Sequence, residues 1–311
     1  MNLGKALIAA SFALCTLSAC TRSKQDAILR ANEAEKMRKT DKEGAIAKLQ
    51  EATQLDRDNH NIWHRLGELQ RDKEDWKEMA AAYGEAIAAA ERTSKDKKCA
   101  WASYYAARGD ALLQQAKKKT ISYEEAKEPY TKCVEIDPNY ADCYHQLGNV
   151  YLWTDDEQKS IEFYTKAIEH NPDELRYYGP LAELYINLGY MKEAEQVLKE
   201  AKTRGKPDDK MMWGVHVLMA GVLQDRNDMA GAISELEAAK AIPTGEGPES
   251  VITLYNLGSL YAQVEPPRKQ EAIEMLKGFS LRACKGQKAQ QFQVECETAR
   301  SLVTKLGGSL Q

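Results

Sequence analysis

Pro138 and Pro172 stand 34 residues apart, and the residue classes between them recur at matching offsets along most of the chain. The best copy runs through Tyr144, Leu147, Gly148 and Tyr151, then Ser160, Tyr164 and Ala167, to Pro172. A fixed period of this length means stacked helix pairs, each unable to bury its apolar face alone. Such an array grows as one continuous core, so 311 residues need not divide into two globular domains.

Seven copies can be laid on the chain, at about 27–59, 60–93, 102–140, 141–174, 175–208, 213–246 and 251–280. Small residues recur at positions 8, 20 and 27, where two helices approach closely, and bulky ones at 4, 7, 11 and 24 fill the gaps. A proline at position 32 ends the second helix. The copy at 175–208 keeps Tyr178, Leu181, Ala182, Tyr185, Ala194, Leu198 and Ala201, with Pro207 one place late. In 60–93 the register holds Trp63, Leu66, Gly67, Tyr83 and Ala86; in 213–246 it holds Ala220, Leu223, Ala232, Leu236 and Ala239. If Gly109 is position 8 of its copy, about five extra residues sit near Lys117–Thr120; Pro266-Pro267 adds two in the seventh. Residues 289–306 read as a final helix that caps an open-ended stack.

These residues and their spacing resemble the tetratricopeptide repeat, whereas Sel1-like and HEAT repeats have periods that fit worse. The resemblance implies an all-α, right-handed superhelical solenoid of about seven antiparallel helix pairs over 27–280. A C-terminal cap would occupy 281–311. It also implies protein binding and no catalysis. Composition agrees with a soluble, mostly helical chain: 43% apolar, 29% charged, net charge −4, with no basic excess for nucleic acid.

The N-terminus has a different character. Lys5 supplies a positive start, Ala6–Leu14 a short apolar run, and residues 6–19 carry no charge, too short a stretch for the ~20 residues that span a bilayer. Leu17-Ser18-Ala19-Cys20 resembles the lipobox of bacterial lipoproteins, which implies cleavage after residue 19, acylation of Cys20 and a polar tether over 20–26. An ordinary secretory peptide cut near Ala19 is the other reading. Thr21, where inner-membrane retention signals carry Asp, points by the same resemblance to the outer membrane facing the periplasm. Stable anchoring then rests on several acyl chains.

In such an oxidising compartment the remaining cysteines become candidates for bridging. Cys133 and Cys143 lie on adjoining helices across the Pro138 turn, and Cys284 precedes the last helix that carries Cys296. The pairs Cys133–Cys143 and Cys284–Cys296 are therefore possible disulfides, against the reading that Cys133 and Cys143 are small core residues. Cys99 is left over and competes for either partner of the first pair.

His60, His64 and Glu68 share one helical face, but Asn61 stands where a H-E-x-x-H motif needs its glutamate and no third ligand is evident. No metal and no cofactor are expected. Nor is there a P-loop, a G-x-S-x-G elbow or a Cys/His nucleophile pattern. Lys117–Lys119 reads as a solvated loop, with docking to anionic headgroups as the sharper alternative.

By the family resemblance, positions 2, 5, 9 and 12 of the first helices face a concave groove. Here they include Asn61, His64, Glu68 and Arg71; His145, Asn149 and Leu152; Arg176, Glu183 and Ile186; and Val217 and Gln224. Chaperone-docking members clamp a carboxylate with Lys, Arg and Asn at such sites, and this chain holds only scattered pieces of that set. The mixed lining suits an extended or helical segment of a protein partner. The expected function is a membrane-anchored scaffold that binds envelope proteins. The alternative is an assembly factor resembling the lipoproteins of this repeat class that pilot type IV pilus secretins to the outer membrane. Self-association of a second copy in the groove is a further possibility.

Overall fold

The computed structural model describes residues 21–93, 100–206, 209–244, 247–286 and 288–309. The leader, Cys20, Cys99 and Pro207 lie outside the described residues. Those residues fold into helices without a strand, and two units separate by contact, up to His170 and from Asn171 onward.

The first unit holds four antiparallel pairs. They are α1 (21–37) with α2 (Lys42–Leu55), α3 (His60–Asp72) with α4 (Trp76–Thr93), α5 (Ala100–Lys117) with α6 (Lys127–Ile136), and α7 (Ala141–Trp153) with α8 (Glu157–His170). The second unit holds α9 (Tyr178–Asn187) with α10 (Met191–Arg204), α11 (Met212–Asp225) with α12 (Met229–Ala241), and α13 (Pro248–Gln263) with α14 (Lys269–Ala283). It closes with α15 (Lys288–Gln291) and α16 (Gln293–Lys305).

One local device ends the first helix of most pairs and starts the second. Glu74, Asp155, Gly189 and Asn227 all occupy position 15 of their copies, and all adopt positive φ between 57° and 78°. This left-handed residue reverses the chain after the first helix. Position 16 then caps the second helix: Asp75, Asp156 and Asp228 accept hydrogen bonds from the backbone N–H of Glu78, Lys159 and Gly231 at 3.3, 3.2 and 2.9 Å. Asp41 does the same for Gly44 at 2.9 Å.

Between the helices of a pair, an aromatic ring replaces the missing glycine side chain. Tyr83, Tyr130 and Tyr164 at position 24 are each at most 1% exposed. A Cβ on Gly67, Gly109 or Gly148 would stand 2.7, 2.7 or 2.4 Å from the facing ring, so nothing larger than glycine fits unless the pair moves apart. In α13 and α14 the partners are Gly258 and Leu276, with 2.6 Å in the same sense. Successive pairs are also tied by exposed ion pairs one repeat apart, Arg38–Asp72 and Arg92–Asp58 at 2.8 Å, each worth at most about 1 kcal/mol.

The inserted residues near Lys117–Thr120 form a turn followed by a short 3-10 segment, Tyr123–Ala126. Ser122 and Glu125 close a reciprocal capping box at its start. Lys117 and Lys118 lie over the rings of Trp153 and Trp76 at 5.2 and 5.7 Å. Two elements differ from the sequence expectation. The copy at 175–208 opens with a 3-10 turn, Leu175–Tyr177, before α9, which carries Pro180 in its first turn. The cap, expected as a continuous helix over 289–306, breaks at Phe292 (φ −115°, ψ 33°), whose ring buries edge-on against Phe279 with centroids 6.0 Å apart. The disulfide Cys284–Cys296 holds α16 to the end of α14, and Cys133–Cys143 joins α6 to α7 across the Pro138 turn.

Candidate protein-binding groove

In the first unit, α3 brings His64, Glu68 and Arg71 together on one face. Their setting comes from aromatic residues of neighbouring helices. His64 meets the edge of Tyr83 at 5.7 Å and lies 5.3 Å from Tyr104, while His60 Nδ1 is hydrogen-bonded to Tyr104 Oη at 2.9 Å. Burial among these rings holds the His64 imidazole below its usual value, against the opposing pull of Glu68. The Tyr83 hydroxyl donates to Glu68, and Arg71 pairs with the same carboxylate at 3.1 Å. Burial, reinforced by that bond, raises the Tyr83 phenol far above its ordinary value. Its hydroxyl therefore serves as a fixed donor and not as an acid.

The same relation recurs twice. Tyr130 donates to Asp110 and Tyr164 to Asn149, both at 2.7 Å. Asn149 in turn donates to Gln146 Oε1 at 2.9 Å, and the His145 ring tilts against Tyr164 at 5.7 Å. Position 9 is thus tied to the core through the phenol of position 24. Leu152, one turn further along α7, is half-buried. Asp110 is absent from the sequence reading, although placing Gly109 at position 8 puts it at position 9, the same position as Glu68 and Asn149. Burial raises its carboxyl above the usual range, while the Tyr130 bond and Arg71 pull the other way.

In the second unit, Val217 and Gln224 of α11 line one cavity of about 530 Å³ together with Tyr255 and Ser259 of α13 and Leu302 of α16. Tyr255 and Ser259 are positions 5 and 9 of the seventh copy, so extending the register by one copy finds them. Glu183 is exposed and Ile186 half-buried on α9. Arg176 lies in the 3-10 turn, over the Tyr177 ring at 5.2 Å and 3.5 Å from Glu174. Beside the cavity, His216 and Lys202 both bond to Glu235. Burial would raise that carboxyl, but the two hydrogen bonds outweigh it and hold it low. Among the described residues there is no cluster of three or more His, Cys, Asp or Glu side chains arranged for a metal. Nor is any helix there long and apolar enough to cross a membrane.

Residues 102–140 match the tetratricopeptide repeat profile, and 144–244 match that of the tetratricopeptide repeat protein 21 forth ARM domain. Over 133 residues the chain is 29% identical to the Hsp70-Hsp90 organizing protein 2 of Arabidopsis thaliana, covering 42% of this chain and 23% of that protein. It is also 29% identical over 106 residues to the mitochondrial import receptor subunit TOM70 of Rattus norvegicus, covering 34% and 17%. The chain thus spans less than a quarter of the length of these curated relatives. Among solved structures it is similar to the C-terminal part of a TPR repeat-containing protein from Cytophaga hutchinsonii (TM-score 0.62, 13% identity, 84% of this chain and 98% of that one). It is also similar to Pseudomonas aeruginosa pilF (TM-score 0.52, 17% identity, 73% and 96%). At these identities the likeness concerns the fold, an all-α tetratricopeptide-repeat solenoid.

Proposed function

We propose that the chain is a scaffold that binds proteins of the bacterial envelope through the faces of its first helices. Cys20 acts as its lipid anchor, most simply in the outer membrane facing the periplasm. The observation that carries the binding half is the second-unit cavity, where Val217, Tyr255 and Leu302 give apolar surface and Gln224 and Ser259 give hydrogen-bonding groups. That lining suits an extended or helical partner segment, held by pockets and amide bonds. The relatives' names, an organizing protein and an import receptor subunit, are in keeping with protein binding. The anchor half rests on the sequence Leu17-Ser18-Ala19-Cys20.

A photoreactive residue at Gln224 is expected to capture a partner in the native host, and one at Glu195, on a second helix, is not. Capture from Glu195 alone would overturn the groove assignment. Cys20→Ala is expected to release the chain from membrane fractions, and unchanged sedimentation would remove the anchor. A second reading, a pilot of secretin assembly, draws on the combined lipobox-like end, repeats and Cys133–Cys143 bridge. Normal secretin multimers in a deletion strain would exclude it.

A further inference from the structure

The net charge of −4 is not evenly spread. Residues 277–305 carry six cations, Lys277, Arg282, Lys285, Lys288, Arg300 and Lys305, against Glu295 and Glu297, in a chain whose carboxylates outnumber its cations 47 to 43. None of the six has an ion-pair partner among the described residues, whereas Arg268, just before α14, pairs with Glu237 and Glu271. A helix C-terminus favours cations in its last turn, which accounts for Arg282 and Lys285 at the end of α14. It does not account for Lys277, nearly two turns earlier, or for Arg300 on α16.

Three of these cations meet. Lys277, Lys285 and Arg300 line a cavity of about 280 Å³ between α14 and α16, beside the Cys284–Cys296 disulfide. The bridge fixes the two helices there: Ser280 lies one turn before Cys284, Arg300 one turn after Cys296, and both reach the cavity. The Ser280 hydroxyl is committed to the Leu276 carbonyl at 2.8 Å, so what the cavity offers a ligand is positive charge. Like charges held around one space repel, and an anion entering it relieves that repulsion. The space falls just below the ~300–1,000 Å³ of small-molecule sites, which suits a single anionic group carried by something larger.

Apolar exposure says what carries it. Leu281 is 66% exposed in the same lining, one turn after Lys277 and one turn before Lys285, and Val294, two residues before Cys296, is 71% exposed. These are the two most exposed large apolar side chains among the described residues. A leucine that projects between cations makes no pocket for a partner's side chain. It suits the boundary between headgroups and acyl chains, where apolar groups bury while cations stay at the phosphates.

We propose that this end of the second unit is a docking patch for an anionic lipid surface. A headgroup phosphate sits among Lys277, Lys285 and Arg300, and Leu281 enters the acyl boundary. Neither Cys20 nor the groove takes part, so the patch is a lipid contact of its own.

The whole chain is sedimented with vesicles of phosphatidylcholine, alone or mixed equally with phosphatidylglycerol. The apolar residues 6–19 are present in every variant, so the difference between the two vesicle types reports on the patch. The native chain is expected to prefer the anionic vesicles at low salt and to lose that preference as salt screens it. Arg300→Gln should weaken binding to anionic vesicles about fivefold, and Lys277→Gln, Lys285→Gln and Arg300→Gln together about 100-fold. Lys277 is half-buried and Leu281, Lys285 and Arg300 are exposed, so the helices should survive each change. Leu281→Trp reads insertion directly: its added emission should be quenched by bromine on the acyl chains of the anionic vesicles. No preference for anionic vesicles, a preference kept by the triple variant, or unquenched emission in Leu281→Trp would overturn the proposal. So would tighter binding of glycerol phosphate or polyglutamate than of the anionic vesicles, which would give the cations to a soluble anion or an acidic protein segment. High salt strips this contact and not an acyl anchor, and photocapture from Gln224 reads other residues, so the three readings fail separately.

Discussion

Tyr164 lies directly over Gly148, so close that a Cβ there would stand 2.4 Å from the ring, and its hydroxyl donates to the next residue, Asn149. The contact joins the packing of a helix pair to the polarity of its outer face. The residue at position 24 decides whether the position 9 side chain is held by a phenol. Where position 24 is Leu276 no hydroxyl is available, and Ser259 Oγ, though buried, has no hydrogen-bond partner.

Gly148→Ala should destabilise the first unit by about 1–3 kcal/mol, since the ring must move off its rotamer or the pair must separate. Urea unfolding checks this directly. Ala220→Gly, at a pair closed by Leu236 with no ring over position 8, is the control and should cost only about 0.5–1 kcal/mol.

Asp110→Asn should raise Tm at pH 7. Burial raises the native Asp110 carboxyl above its ordinary 3.8, so the folded state holds the proton more firmly than the unfolded chain. Its contribution to stability is therefore fullest below 3.8 and is lost as pH rises through the elevated folded value. Asparagine does not titrate and accepts the phenol as Asn149 does. The advantage of the variant should shrink steadily as thermal melts are repeated toward pH 4. Asp110→Ala, which strands the Tyr130 hydroxyl, should instead cost about 1–3 kcal/mol.

Asp155→Gly should stabilise by about 0.5–1 kcal/mol, because φ of 58° is strained for an L side chain and free for glycine. Gly189 shows that the same turn accepts glycine. A chemical denaturation midpoint that falls would show that the Asp155 side chain holds the turn by a contact of its own.

Replacing Cys133 and Cys143 together by alanine should cost about 3 kcal/mol, the loop-closure value for residues ten apart. Adding a reductant to a chain that already carries Cys284→Ala and Cys296→Ala should reproduce the loss. The matched replacement at Cys284 and Cys296 should loosen α16 and raise amide exchange there without changing the exchange of α3 or α7.

The repeat register, the helix pairing and the turn prolines were legible in the sequence, because a 34-residue period with fixed small and bulky positions leaves little else for the chain to build. The groove was legible only as a face. His64, Glu68 and Asn149 were named by position, but periodicity says nothing of the hydroxyl that arrives from position 24, so their bonds to Tyr83 and Tyr164 were invisible. Phe292 was read within a continuous cap, yet burial against Phe279 outweighs helical continuity there. Period and residue class set which side chains face a neighbour. Only the distances between packed helices decide which of their polar groups find a partner.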